Sequence, residues 1–444
     1  MRLREDIPMF GRMNRSRVPR WCVPLVYASL AVVLSFVLPR IEAQWLPHWK
    51  SGMSTAAAMA IYSAIASGMI ALTGIVFSLV FVMVQFSATA YTPRLVMWLS
   101  RDPVLYHGIG VFTSTFLYGI AALAWVDRQG NAEVPFLSGW LVVGLLLASV
   151  GVFIGMVQRI SRLQINSTLA FTADFARELI DVMYPPFEAE ESRVETADDF
   201  HRWPVIQTLI YSGPPRAVQA MNVPRLLALA ERSDSVVEMV CAVGDTLVDS
   251  MPLLHVYRED ASKKEPIPYQ ALRKTIQTGA ERTFEQDPKY SIRLLVDIAI
   301  RALSPAVNDP TTAVQAMDQI EDLLLRLGRR RLGIGEIQDR KGQVRLTIPV
   351  PHWEDLLDLA LTEIRACGAG SPQVTRRMKA LLTDLIEALP ELRHAALRTQ
   401  QRRLDNTIAR AFPDEDDRLE ASVEDREGLG APRKTQALHE KAIT

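Results

Sequence analysis

The run from Met59 to Phe86 carries no charged side chain, and it exceeds the roughly 20 apolar residues that cross the hydrocarbon of a bilayer as a helix. Such a segment is comfortable only in lipid, so the chain is membrane-embedded. The run is not uniformly apolar. Ser63, Ser67, Gly74, Ser78 and Gln85 fall within an arc of about 60° on one helix face. That face must meet protein or water. It is either a packing seam, because small and hydroxyl residues let membrane helices approach closely, or the lining of a hydrated path.

Three further apolar segments, Trp21–Leu38, Val104–Trp125 and Leu137–Val157, bring the expected membrane domain to four spans over residues 21–157. In the last of them Gly144, Ala148, Gly151 and Gly155 also lie within about 60° on one face, a second small-residue seam expected to pack against another helix. Orientation follows from the Lys/Arg bias of short flanks. Arg2, Arg4, Arg12, Arg15, Arg17, Arg20, Arg94, Arg101, Arg159 and Arg162 fall on one side, against Arg40, Lys50 and Arg128 on the other. Both termini are therefore expected in the cytoplasm, with the chain multi-pass in the cell (inner) membrane. A signal peptide ending near Ala43 is the alternative for the first span; the long basic leader, residues 1–20, favours an anchor.

Hydrophobic residues make up 49% of the chain, yet its mean hydropathy is only slightly positive, because the residues after the fourth span have the composition of a soluble protein. A net charge of −1 gives no reason to expect nucleic acid. Cys22, Cys241 and Cys367 are too far apart for a zinc motif and too few for a disulfide framework. No metal and no cofactor is expected.

Helical periodicity continues from Gln158 to Met183, with Ile160, Leu163, Phe175, Leu179 and Met183 recurring at roughly helical intervals, so residues 158–187 read as a stalk helix ended by Pro185 and Pro186. The acidic stretch Glu188–Asp199 reads as a solvated linker, 188–203. Strands are expected at Val205–Tyr211, Val236–Cys241 and Leu253–Tyr257, with a short helix Pro224–Arg232 opened by Asn222. They form a small β module, 204–260, whose turn at Val243-Gly244-Asp245 weakly resembles a lipoyl-type hairpin without the lysine that would carry a cofactor. Residues 261–412 read as mainly helical: Tyr269–Thr278, Tyr290–Leu303, Pro310–Leu327, Trp353–Ala366, Pro372–Leu389 and Glu391–Phe412, with a β excursion at Gln343–Ile348. The polar tail, 413–444, reads as disordered. The fold class is thus an α-helical membrane protein of four spans followed by a cytoplasmic α+β region.

The densest local signal is Arg301-Ala-Leu-Ser304-Pro305-Ala-Val-Asn308-Asp309-Pro310-Thr311-Thr312. Pro305 disfavours helix at Ser304, Asp309 can cap a new helix, and Pro310 sits where a missing N–H costs nothing. The stretch is a rigid helix corner, or a polar ligand site lined by Arg301, Asn308, Asp309 and Thr312 at a helix N-terminus, where Asp309 counts against an anion.

This stretch resembles the bacterial family of predicted membrane proteins called domain of unknown function 2254. Val76-Phe-Ser78-Leu79, Thr92-Pro-Arg94-Leu95, Arg101-Asp102 and Gly110-Val-Phe112 in the membrane part, and Gly279, Arg282-Thr283 and Asp287 beyond it, look like the same pattern. The resemblance covers most of residues 20–390 and implies an integral membrane protein; the family has no established activity to carry over. Where a histidine pair is expected after the fourth span, this chain has Gln158-Arg159, which argues against a metal or haem role there.

Within these four segments His107 is the only ionisable side chain, whereas proton-coupled transporters keep buried relays and bis-histidine haem needs two facing histidines. No phosphate-binding loop or nucleophile elbow occurs. The expectation is a non-enzyme, with the lipid bilayer and further copies of itself as partners and an ion or small-molecule ligand of unknown identity. Two function classes remain: an oligomeric conduit gated by the cytoplasmic region, and a membrane-anchored regulatory scaffold.

Overall fold

The computed structural model describes residues 21–45, 52–90, 103–126, 134–161, 165–187, 200–260 and 265–430. The basic leader, the flank carrying Arg94 and Arg101, and the acidic linker lie outside these residues. Ser16–Gln164 form one compact unit, and Ile165–Thr444 the body of another.

The first unit is built from α1 (Cys22–Trp45), α2 (Thr55–Ala90), α3 (Pro103–Leu123) and α4 (Phe136–Ser161). Each is long and apolar enough to cross a membrane. Helix α3 is the hub, packing against α1, α2 and α4. Its core contacts include Tyr62, Tyr118, Ala122 and Val142 at one level and Met69, Val76, Phe112 and Met156 at another. The remaining faces carry exposed large apolar side chains such as Leu30, Phe36, Ile70, Phe77, Phe81, Leu147 and Ile154. So much apolar exposure is untenable in water and ordinary in lipid.

Helix α1 runs past Leu38 and through Pro39 to Trp45, a proline being tolerated because neighbouring helices can re-satisfy the freed carbonyl. The extension brings two charged side chains into the span helices, Arg40 and Glu42, of which Glu42 is buried. Its Oε2 accepts from the backbone N–H of Leu137 at 3.0 Å and its Oε1 from that of Phe136. A carboxylate from α1 thereby caps the first turn of α4, where orphan N–H groups favour negative charge. Close helix approach occurs at Gly110 of α3, where a Cβ would stand 2.8 Å from the Tyr27 ring of α1.

The second unit opens with α5 (Ile165–Met183). Residues 162–164, where the stalk would continue from α4, lie outside the description. Leu169, Ala173, Ala176, Leu179 and Ile180 of α5 are buried, so this helix is an integral layer of its unit. It packs on α8 (Pro288–Ala302) and α9 (Pro310–Gly328).

Two sheets follow. The strands are β1 (Val205–Ile210), β2 (Arg216–Met221), β3 (Val236–Met239), β4 (Thr246–Leu247), β5 (Pro252–Tyr257), β6 (Ile276–Gly279), β7 (Glu336–Gln338) and β8 (Val344–Thr347). One sheet has the order β1-β5-β3-β8-β7 and the other β4-β2-β6. The β3–β8 pair is parallel, which requires a long crossover connection, here one that includes α8 and α9. Helix α6 (Val223–Ser233), capped by the Asn222 side chain, packs on β3 and β8. Leu226, Val237, Leu254, Val256 and Leu346 share one core.

The β module therefore does not end at residue 260: strands up to residue 347 complete both sheets. The expected helix Tyr269–Thr278 stops as α7 (Tyr269–Arg273), and the chain turns into β6 to pair with β2. Helical periodicity cannot see such pairing. Helices α10 (Trp353–Cys367), α11 (Pro372–Ala388) and α12 (His394–Ala411) match expectation apart from a 3-10 turn at Glu391–Arg393. The tail is not disordered over residues 414–430. Asp414 caps α13 (Glu415–Ala421), and buried Arg376 donates to the carbonyls of Glu420 and Gly430 at 2.6 and 2.7 Å. Asp425, also buried, accepts from the N–H groups of Gly428 and Gly430. A polar segment without its own core is ordered here by partners far away in sequence.

Candidate functional site

On the membrane helices the face that packs decides where each small-residue seam points. On α2 the buried residues are Ala58, Tyr62, Ala66, Met69 and Val76. Ser63, Ser67, Gly74, Ser78 and Gln85 lie roughly 130° round the helix from them and are all exposed. The second seam behaves alike. Gly144, Ala148, Gly151 and Gly155 are exposed, and nothing lies within 4 Å of a Cβ built on any of those three glycines. The fourth span thus makes its close contacts in the protomer on another face, through Val142, Ser149 and Met156, and leaves its small-residue seam free of its own chain.

The polar groups that the membrane unit does bury lie elsewhere. Thr115 and Ser149 hydroxyls are 2.9 Å apart between α3 and α4, and the Tyr118 hydroxyl donates to Ser138 Oγ at 3.1 Å. Tyr62 is 2% exposed and its hydroxyl has no partner among the described residues. Tyr62, Tyr118 and Ser138 lie with Glu42 near the N-terminus of α4, a polar cluster that sequence reasoning missed, whereas the Thr115–Ser149 pair lies midway along that helix. The apolar segment ends at Leu38, so the span as read from hydropathy stops short of the carboxylate at Glu42.

In the second unit the motif residues separate into two places at opposite ends of α8. That helix spans 15 residues, so its ends are about 22 Å apart at 1.5 Å per residue. At its N-terminus, Asp287 caps the helix, Oδ1 accepting from Tyr290 N–H at 3.3 Å. Oδ2 is buried without a hydrogen-bond partner and faces Gly244, where a Cβ would come within 2.4 Å of it. Gly244 also has φ +92°, a left-handed conformation that favours glycine. Burial raises the Asp287 carboxyl above the usual range, and the Lys289 and Arg282 charges pull it back. Arg282 is exposed, and Thr283 Oγ1 lies 3.5 Å from the Gln219 carbonyl. Gln286, next to the cap, takes Met221 N–H and gives to Met221 C=O, extending the edge of β2. Tyr184, buried beside Asp287, has its phenol raised mainly by burial and secondarily by that carboxylate.

At the other end is the corner before α9. Ser304 Oγ donates to Arg301 C=O at 2.7 Å, and Asn308 N–H returns to Ser304 C=O at 2.8 Å around Pro305. Asn308 takes φ +49° and is exposed; Asn is the residue beside Gly most at ease there. Asp309 Oδ1 accepts from Thr312 N–H at 3.1 Å and Oδ2 from the Thr312 hydroxyl at 2.5 Å, with Pro310 in the first turn. Both carboxylate oxygens are thus engaged by the helix that they start. Arg301 Nε is buried without a partner among the described residues.

Among the described residues no cluster of three or more His, Cys, Asp or Glu could hold a metal. Cys241 is buried, which pushes its thiol up to about 12, so it is not a nucleophile at neutral pH.

No solved structure matches the chain. It is similar to two uncharacterized proteins, Mb1321c of Mycobacterium bovis and Rv1290c of Mycobacterium tuberculosis, at 28% identity over 361 residues, 80% of this chain and 68% of each relative. The model of the predicted membrane protein family DUF2254 matches residues 17–384, a stretch that takes in the four apolar helices and both ends of α8. The chain belongs to that family.

Proposed function

We propose that the protein is an oligomeric conduit for ions or small solutes in the inner membrane, with both termini in the cytoplasm and the second unit gating the path. The observation that carries this reading is the outward direction of the α2 seam. Ser63, Ser67, Gly74 and Ser78 are polar or small, are exposed on the protomer, and face away from the residues that pack on α3. Hydroxyls in a span gain most by meeting other protein or water, and a second copy supplies both. The exposed glycine face of α4 supplies a surface on which copies can approach closely.

Flux of small ions through liposomes holding the purified protein tests this. A path lined by hydroxyls without fixed charge discriminates weakly among small ions, and Ser78→Leu should reduce flux by dewetting while the oligomer persists. Gly151→Leu should change the oligomeric size in detergent and leave the protomer folded. No flux from correctly assembled parent protein, over a range of ions and membrane tension, removes the conduit. Reporter fusions test the orientation: a cytoplasm-only reporter should work after Arg162 and fail near Lys50.

The second reading, a membrane-anchored regulatory scaffold, is favoured by the motif residues Arg282, Asp287 and Ser304–Thr312 lying in the unit outside the four spans. It stands if assembly is normal and flux is absent.

A further inference from the structure

Several buried or half-buried arginines in the second unit are neutralised by carboxylates. Arg177, Arg293, Arg345 and Arg377 each pair with two carboxylates. Arg365, on α10, has no such partner among the described residues, and it differs from Arg393, whose guanidinium donates to the carbonyls of Gly328 and Arg330, in facing further arginines. Its Nη1 reaches only the Thr407 hydroxyl at 2.9 Å and the Arg403 carbonyl at 3.4 Å, and its Nε is buried without a partner. No carboxylate pairs with it among the described residues.

The charges that face it are of its own sign. On α12, Arg403, Thr407 and Arg410 stand at i, i+4 and i+7, a single face, and the Arg365 guanidinium meets that face at Thr407, between the two arginines. Among the described residues Arg410 bonds only the carbonyl of Asn406. Arg403 pairs with Asp358 at 2.7 Å, and Gln400 donates to the same carboxylate oxygen. Burial first, then Arg403 and Arg410, lower the Arg365 pKa, with Asp358 opposing. The nearby acids Glu363 and Asp405 are committed to Arg293 and Lys379. Among the described residues Asp358, paired with Arg403, is thus the only carboxylate bound by any of the three guanidiniums, an arrangement that costs stability in the unliganded protein and suits an incoming anion, since guanidinium groups match the oxygens of a phosphate in charge and geometry.

We propose that Arg365, Arg403 and Arg410 form a site for a phosphate group between α10 and α12. The phosphate is either free or carried on an anionic lipid headgroup. This proposal is independent of the conduit reading, since it concerns α10 and α12 alone.

The test is calorimetric titration of the purified full chain in neutral detergent, with inorganic phosphate in one arm and a short-chain phosphatidylglycerol in the other. Arg410→Gln, on an exposed helix position, should weaken binding about tenfold or more, the worth of one charge-assisted contact. Arg365→Gln should weaken it further. Arg398→Gln, on the opposite side of α12, should leave affinity within about twofold. Binding of inorganic phosphate assigns a free phosphate; binding of the lipid alone assigns a headgroup; either supports the site. No saturable binding in either arm, or equal loss in Arg398→Gln and Arg410→Gln, overturns it.

Discussion

Two helices of the second unit begin with the same two residues and end up in different physical situations. Asp287-Pro288 opens α8 and Asp309-Pro310 opens α9, and the cap dihedrals are close, φ −128° and ψ 85° against φ −116° and ψ 82°. Asp309 is half-buried with both oxygens engaged by Thr312. Asp287 is 2% exposed with one oxygen unpartnered against Gly244. Sequence sets the cap in each case. Burial then makes one carboxylate a simple stabiliser of its helix and the other a charge held out of water, and a buried charge without full compensation costs free energy.

Gly244→Ala is the severest way to probe this contrast. The new methyl would meet Asp287 Oδ2 at 2.4 Å, on backbone at φ +92°. Loss of about 2–4 kcal/mol is expected from overpacking and backbone strain together, read as a lower denaturant midpoint for the second unit of the full chain. A change below about 0.5 kcal/mol, the usual range of a neutral surface substitution, would mean that Asp287 moves aside freely and that the buried cap is not confined.

Asp309→Ala should cost about 1 kcal/mol, the ordinary value of a lost helix cap. Asp309→Asn should cost only a few tenths, because Asn caps equally well. If Asp309→Ala left the unfolding curve unchanged, the Thr312 bonds would not be what starts α9, and the ligand-site reading of the corner would regain ground.

Asp287→Asn should do the opposite and raise stability at neutral pH by up to about 1 kcal/mol, since it keeps the cap and removes the buried charge. The sign follows from linkage. A carboxyl whose folded pKa lies above its unfolded value binds more protons in the folded state between those two values, so the parent gains stability as pH falls from the folded value toward the unfolded one. The variant should lack that gain. A parent whose stability instead falls over that window, with Asp287→Asn falling equally, would show that burial does not raise the Asp287 pKa.

The smallest effect is expected from Arg282→Gln. Arg282 is exposed and acts on Asp287 only as the second of two favourable charges, so its removal should raise the Asp287 pKa slightly, with little change in global stability. Titration of the Asp287 carboxyl by NMR reads it. An unchanged pKa would place Arg282 outside the field of that cap.

Much of this was legible in advance for identifiable reasons. Four spans could be read directly, because lipid demands a long uncharged run and nothing else in a chain looks like one. The helices from Tyr290 onward were legible through periodicity, and the one after the corner also through its Asp309-Pro310 start. The strands Arg216–Met221, Ile276–Gly279 and Glu336–Gln338 were not, because each is short and is stabilised by a partner distant in the chain. The order in residues 414–430 was hidden in the same way, since Arg376 and Gln373 on α11 hold the segment.

The amino-acid sequence by itself determined that the chain enters a membrane, where most helices begin and end, and that residues 301–312 make a capped corner. Those properties depend on hydrocarbon thickness and on bonds within a few residues. Only the tertiary structure decided which way the α2 and α4 seams point, that Glu42 caps a helix of another span, that Asp287 is buried where Asp309 is half-exposed, and that Arg365 faces two arginines across a helix pair. Each of these depends on which distant element packs against a given face, and neither composition nor periodicity carries that information.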